Sequence, residues 1–221
     1  MTITRIIRSR RRSVALIVTR EAELIVRAPW QVSEGFIQNL ILEKRDWVER
    51  KIQETRERLQ KIAPKQFVEG EEFLFLSQKY SLKIVDEARE ISLDGPSLVF
   101  PRAFLTSPRE HLKAWYRQEA LKVIASRVEF FAQRDGFQYK SVRISSAQRR
   151  WGSCGSRGGL NFSWRLVMLP MSVIDYLVVH ELHHLRHRNH SSRYWDAVRA
   201  AMPSFEREEK LLRFYESHVV I

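Results

Sequence analysis

The chain has 221 residues, is 44% hydrophobic and carries a formal charge of +12. That length can bury a sizeable core in one large domain or two modest ones, and the single cysteine, Cys154, excludes an internal disulfide framework and fits a reducing compartment. No apolar run approaches the roughly 20 residues of a membrane-spanning helix, and Val14 to Val18 is too short for a signal-peptide core, so the expectation is a cytoplasmic protein with no membrane partner.

In chain order, Arg5, Arg8, Arg10, Arg11 and Arg12 form a basic arm with no acid between them. The β-branched runs Ser13 to Thr19 and Glu23 to Arg27 predict a hairpin, with Pro29 ending its second strand. Ser33 can cap one long helix that carries Ile37, Leu40, Ile41, Val48, Ile52 and Leu59 at helical spacing and stops at Pro64. Strands are expected at Glu72 to Leu76, Tyr80 to Val85 and Ser97 to Phe100, the last two separated by the turn residues Asp94-Gly95-Pro96.

The second half opens on Ser107-Pro108-Arg109-Glu110, a capping box with proline at the first helical position. The helix runs through Leu112, Trp115, Tyr116, Val123, Ile124, Val128 and Phe131 to Gly136. A strand follows at Lys140 to Ser145, then a glycine-rich turn at Trp151 to Gly159. A second strand at Leu160 to Met168 alternates Leu160, Phe162, Trp164, Leu166 and Met168 against Asn161, Ser163, Arg165 and Val167. Ser172-Val173-Ile174-Asp175 reads as a further cap, and two more helices are expected near Ser192 to Met202 and Ser204 to Ser217, split by Pro203. Between Gly136 and Ile174 there is no Asp or Glu, while Lys140, Arg143, Arg149, Arg150, Arg157 and Arg165 are present. With the net charge, this makes nucleic acid a partner to consider.

His180-Glu181-Leu182-His183-His184 carries the chemistry. Its H-E-x-x-H spacing sets two imidazoles on one helical face, where they can share a metal ion, with a carboxylate beside them to take a proton from a metal-activated water. Five of the seven histidines fall between His180 and His190. His187 shares the face but stands about 10 Å from His180 along a straight helix, too far for bonds near 2 Å to one ion. His190 follows Asn189, a residue that tolerates helix-ending conformations, and can fold back as third ligand. The alternative is a glutamate from the following helices, Glu206, Glu208 or Glu209. Either choice leaves His183 and His187 as surface or outer residues, and Asp175 or Asp196 as candidates to orient an imidazole.

The segment Tyr176-Leu-Val-Val-His-Glu-Leu-His-His-Leu-Arg-His-Arg-Asn-His-Ser-Ser-Arg-Tyr-Trp195 resembles the signature of the YgjP-like metallopeptidases, relatives of the SprT-like zincins. Arg150-Trp151-Gly152-Ser153-Cys154 and Leu160-Asn161-Phe162-Ser163-Trp164-Arg165-Leu166 resemble it too, and the likeness extends over most of the chain. It implies a zincin-like peptidase holding one zinc ion on His180, His184 and His190, with Glu181 as catalytic base. His183 stands where the family usually has a small residue, and Tyr194 where it usually has phenylalanine.

The reading is an α+β protein: a β-rich region with a long helix over 1–104, then a zincin-like catalytic domain over 105–221. The expected function is peptide-bond hydrolysis by a zinc-activated water with a glutamate general base, on a peptide or protein substrate. The alternative is a nucleic-acid-associated zinc protein, acting on DNA-bound proteins or holding zinc for structure alone. Arg193, Tyr194 and Asn161 are candidates to support the oxyanion or the substrate, as are Arg149 and Arg150 from the turn. The strand Leu160 to Met168 is the candidate edge on which an extended substrate would pair. Cys154 and Trp195 read as packing residues.

Overall fold

The computed structural model describes residues 4–19, 22–61, 65–147 and 150–216. Among these it is an α+β protein with three small sheets, each mixing parallel and antiparallel pairs, and six α-helices. The chain divides into two compact units, one ending at Pro64 and the other beginning at Lys65. The boundary expected at 104/105 therefore falls inside the second unit.

In the first unit, β2 (Ala15–Val18) and β3 (Leu24–Pro29) form the expected antiparallel hairpin. The basic arm is not a free tail, because β1 (Arg5–Ser9) pairs parallel with β3 and makes it the central strand. Alternation along β3 puts Leu24, Val26 and Ala28 on a buried face, against Ile37, Ile41 and Val48 of the helices. The long helix is two: α1 (Glu34–Glu43) and α2 (Arg45–Lys61), broken at Lys44, with Asp46 in the first turn of α2 complementing its dipole. Ser33 caps α1 as expected, its hydroxyl accepting from the Phe36 N–H at 3.2 Å. Pro64 lies outside the described residues.

The second unit is built on α3 (Pro108–Asp135), whose Leu112, Tyr116, Ala120, Ile124 and Val128 are buried in its core. Pro108 sits at the helix start and Gly136 ends it at φ 67°, but Ser107 does not cap; its hydroxyl meets His111 Nδ1 at 3.2 Å. On one side lies the sheet β4 (Glu72–Phe75), β5 (Gln78–Val85), β7 (Ser97–Pro101) and β6 (Ser92–Asp94), in that spatial order. The short β6 is an addition to the strands expected from sequence. Tyr116 donates its hydroxyl to the Leu74 carbonyl at 2.6 Å, and Leu76 N–H reaches the Val167 carbonyl at 2.7 Å. These bonds tie the 72–101 strands to the later half of the chain.

The sheet that matters for the site contains β8 (Ser141–Ser145), β9 (Gly152–Cys154) and β10 (Gly159–Ser163). Its order is β8-β10-β9, with β8 parallel and β9 antiparallel to β10. Two expectations are corrected here. The strand expected over Leu160 to Met168 stops at Ser163, and Trp164–Met168 is a 3₁₀ turn in which Val167, assigned by alternation to the polar face, is fully buried. The segment is enclosed on both sides, so alternation is no guide to it. The proposed docking edge is also displaced: β10 is central, and the edge is β9, which lies inside the expected turn.

The motif helix α4 (Met171–His183) starts behind Pro170 without a side-chain cap, since Ser172 donates to Glu208 at 2.8 Å and Asp175 faces α3. It is buried almost all round, through Val173, Ile174, Tyr176, Leu177, Val178, Val179 and Leu182. Arg127 holds Asp175 through two hydrogen bonds of 2.5 and 2.9 Å and so fixes α4 against α3. The helices α5 (Ser192–Ala201) and α6 (Phe205–Glu216) follow as expected.

Candidate metal centre

The last turn of α4 presents His180 and Glu181, and His184 caps its end. Their i,i+4 spacing brings His180 Nε2 and His184 Nε2 to 3.3 Å. The chain then turns through 185–191, and His190 returns its Nε2 to 3.2 Å from that of His180. The three imidazoles offer one nitrogen each, all within 4.8 Å of one another. For metal–nitrogen bonds near 2.0–2.1 Å in a tetrahedron, ligand nitrogens stand about 3.3 Å apart. The spacing thus fits a zinc-type ion.

The protonation states fit as well. Burial, then the neighbouring His184 and His190, push the His180 imidazole down to about 3, and burial lowers His190 too, so both rings are neutral near pH 7. His184 Nδ1 faces the His187 carbonyl at 3.0 Å; donating there leaves the lone pair on Nε2, toward the other rings.

Two aromatic residues hold the imidazoles. Tyr194 is fully buried, lies flat on His184 with centroids 4.7 Å apart, and meets His190 and His180 edge-on at 4.9 and 5.4 Å. Its hydroxyl donates to the His180 carbonyl at 3.1 Å, satisfying a carbonyl in the last helical turn. That hydroxyl, a candidate for the oxyanion, is thus engaged with the backbone. Trp195 stacks on His190 at 5.5 Å and on Phe205 at 5.5 Å, so it is packing, but packing against a candidate ligand. The 185–191 turn is pinned at two points. Arg186 donates to the carbonyls of Asp135 and Gly136 at the α3 C-terminus, at 3.0 and 2.8 Å. Arg188 donates to Gly155 and Ser156 in the β9–β10 turn, at 3.3 and 2.9 Å.

Glu181 is 4% exposed, and its Oε2 has no hydrogen-bond partner among the described residues. Burial pushes its carboxyl up to about 8, with the charge of Arg150 pulling the other way. The carboxylate lies directly against Gly152: a Cβ there would stand 2.5 Å from Oε1 and 2.8 Å from Cγ. Sequence reasoning passed over Gly152 as part of a turn. The signal was a glycine beside Trp151 and before Ser153, since glycine inside a strand marks close approach by another group. Register pairs Ser153 with Asn161, and on either side of that pair the Trp151 carbonyl accepts from the Ser163 N–H at 2.7 Å while the Gly155 N–H donates to the Gly159 carbonyl at 2.8 Å, so 151, 153 and 155 all face β10. Alternation then points the N–H and C=O of Gly152 and Cys154 away from β10, along the open edge.

The remaining expected residues fall elsewhere. Asn161 pairs with Ser153 and so faces the side of the sheet opposite Gly152. Arg193 is exposed in the first turn of α5, Arg150 is exposed just before β9, and Arg149 lies outside the described residues. His183, expected at the surface or beside a ligand, is buried with Nδ1 at 2.8 Å from the Val179 carbonyl and its ring against Phe137. Asp175 pairs with Arg127 and Asp196 with Arg199, so neither orients an imidazole. The glutamate alternatives are occupied: Glu206 by Arg199, Glu208 by Ser172, Glu209 by Arg213. Burial raises the half-buried Cys154 thiol, which argues against a reactive thiolate.

Residues 12–215 match a family described as "YgjP-like, metallopeptidase domain". Among solved structures, the chain is similar to the metallopeptidase zymogen abylysin of Pyrococcus abyssi, at 24% identity and TM-score 0.36, over 40% of this chain and 87% of that one. It is also similar to the zymogen jannalysin of Methanocaldococcus jannaschii, at 17% identity and TM-score 0.38, over 43% of this chain and 97% of that one. No curated protein matches significantly. No helix among the described residues is long and apolar enough to cross a membrane.

Proposed function

The chain belongs to the YgjP-like metallopeptidase family, and on that premise we propose that it is a zinc-dependent peptidase using His180, His184 and His190 as ligands and Glu181 as general base. The observation that carries this reading is the convergence of three imidazole nitrogens beside a buried carboxyl group, one of whose oxygens has no partner among the described residues. Zinc, when bound, would supply Lewis-acid polarisation of a water molecule and of the substrate carbonyl. The protein's own groups do the rest.

Glu181 accepts a proton from the attacking water and returns it to the leaving amine. Its seat against Gly152 leaves the side chain no room on that side, which fixes the carboxylate. The free edge of β9 receives the substrate as an added strand, through the outward N–H and C=O groups of Gly152 and Cys154. Tyr194 holds the rings rather than the oxyanion. Arg150, whose charge Glu181 feels, is the better-supported residue near the reacting groups. Family membership supports protein substrates and gives no support to nucleic acid.

The test is Glu181→Gln, which removes the base while keeping size and shape. Zinc stoichiometry by mass spectrometry should be unchanged and cleavage of any peptide substrate should fall at least about 100-fold. Full activity in this variant would sink the assignment.

A further inference from the structure

The charge around β9 points to a substrate class, on the premise of the peptidase reading above. We propose that the enzyme selects extended peptides bearing Asp or Glu within about three residues of the bond that is cut. Arg150 stands two residues before Gly152, Arg157 lies in the turn after Cys154, and Arg188 reaches the same turn through the Gly155 and Ser156 carbonyls. All three are exposed. Among the described residues none has a carboxylate partner within ion-pair distance, whereas the arginines at 127, 134, 199 and 213 do.

The acids near the site are already spent. Glu181 is buried, and Glu206, Glu208 and Glu209 are held by Arg199, Ser172 and Arg213. The chain from Gly136 to Ile174, which supplies the whole β8–β10 sheet, contains no acidic residue. A strand added to β9 therefore meets uncompensated positive charge at both ends of a three-residue edge, whichever way it runs. Extended side chains alternate faces at about 3.3 Å per residue, so carboxylates two or three positions from the bond come within reach of these arginines.

A peptide fits this rim better than a nucleic acid does. The edge of β9 offers alternating main-chain donors and acceptors, which match another main chain and not a sugar–phosphate backbone. Exposed ion pairs are individually weak, and together they give a preference of about tenfold that shrinks with salt.

The experiment incubates the zinc-loaded full chain with a proteome-derived peptide library and reads cleaved sites by mass spectrometry, alongside Arg150→Glu and Arg157→Glu, singly and combined. The expected result is enrichment of Asp and Glu within three residues of the cut, falling about tenfold in the double variant and weakening in 0.5 M salt. Cleavage without acidic enrichment, or enrichment indifferent to both substitutions, overturns the proposal and leaves the peptidase reading standing. Absence of any cleavage counts against the peptidase reading itself. The proposal is then decided by fluorescence anisotropy with zinc-loaded Glu181→Gln, comparing an Asp/Glu-rich decapeptide, a Gly/Ser decapeptide and single-stranded DNA. Equal binding of the two peptides overturns it. Tighter binding of DNA, lost in Arg150→Glu, assigns the rim to nucleic acid and overturns it as well.

Discussion

The candidate metal centre has two halves that are built differently. His180 sits in the last turn of α4, a helix buried almost all round, and His184 is its C-cap, so a spacing of four residues alone brings their nitrogens together. His190 sits on an exposed turn, and nothing local sets its direction. It is placed by Trp195 stacked on its ring, by Tyr194 edge-on to it, and by Arg186 and Arg188, which pin the turn to α3 and to the β9–β10 turn. The helical half is written in sequence periodicity, while the turn half depends on tertiary contacts from several elements.

The sharpest way to break this comparison is to remove a ligand from each half. His180→Ala should abolish stoichiometric zinc binding, because it leaves one helical ligand and opens the buried centre of the cluster. His190→Ala should leave a weakened site, with affinity down by more than the roughly 10–100-fold typical of residues that only orient ligands. Titration with a competing chelator measures both, and equal losses would erase the distinction between the halves.

The next largest effect is expected at Gly152. In Gly152→Ala the new Cβ must displace the Glu181 carboxylate, which it would otherwise meet at 2.5 Å. Misplacement on the order of 1 Å costs about 100-fold in rate. Peptide turnover should fall by that order while zinc content is unchanged. Loss of zinc instead would mean that β9 supports the ligands and not the base.

These two sites differ in how far sequence could reveal them. H-E-x-x-H brings His180, Glu181 and His184 together because the helical period is rigid, whereas excluding His187 on reach still left His190 and a glutamate of the later helices open, and it is the fold that returns His190 to the cluster. The hairpin of β2 and β3, the Ser33 cap and the Gly136 stop were equally legible, being local rules of alternation, capping and left-handed glycine. What escaped was non-local. Gly152 matters because of a residue 29 positions later that packs on it. β9 is an edge only because β10 pairs with β8 on its other side. Tyr194 looked like a polar group near a ligand, yet its hydroxyl is committed to the His180 carbonyl. Ser107 and Ser172 had capping patterns but found other partners, His111 and Glu208.

Smaller effects probe the supports of the turn half. Tyr194→Leu removes the flat ring on His184 and should weaken zinc affinity about 10–100-fold. Tyr194→Phe keeps the ring and loses one hydrogen bond of about 1 kcal/mol, so affinity should change only a few-fold. A pair of chelator titrations separates ring from hydroxyl, and equal losses in the two variants would show that the hydroxyl does the holding. Arg186→Ala should cost about 1–2 kcal/mol of stability by denaturant unfolding, from two exposed hydrogen bonds and a guanidinium 4.0 Å from the Phe137 ring. Its effect on zinc affinity should stay under about tenfold, because Arg188, Trp195 and Tyr194 still hold the turn; a larger loss would make Arg186 the main anchor.

The most direct test of the account is zinc-edge X-ray absorption on the zinc-loaded full chain and on His190→Ala. The account predicts three imidazole nitrogens and at least one oxygen ligand in the wild type, two imidazoles in the variant, and no zinc–sulfur shell from Cys154 in either. An imidazole count unchanged by the substitution, or a sulfur shell near 2.3 Å, would contradict it.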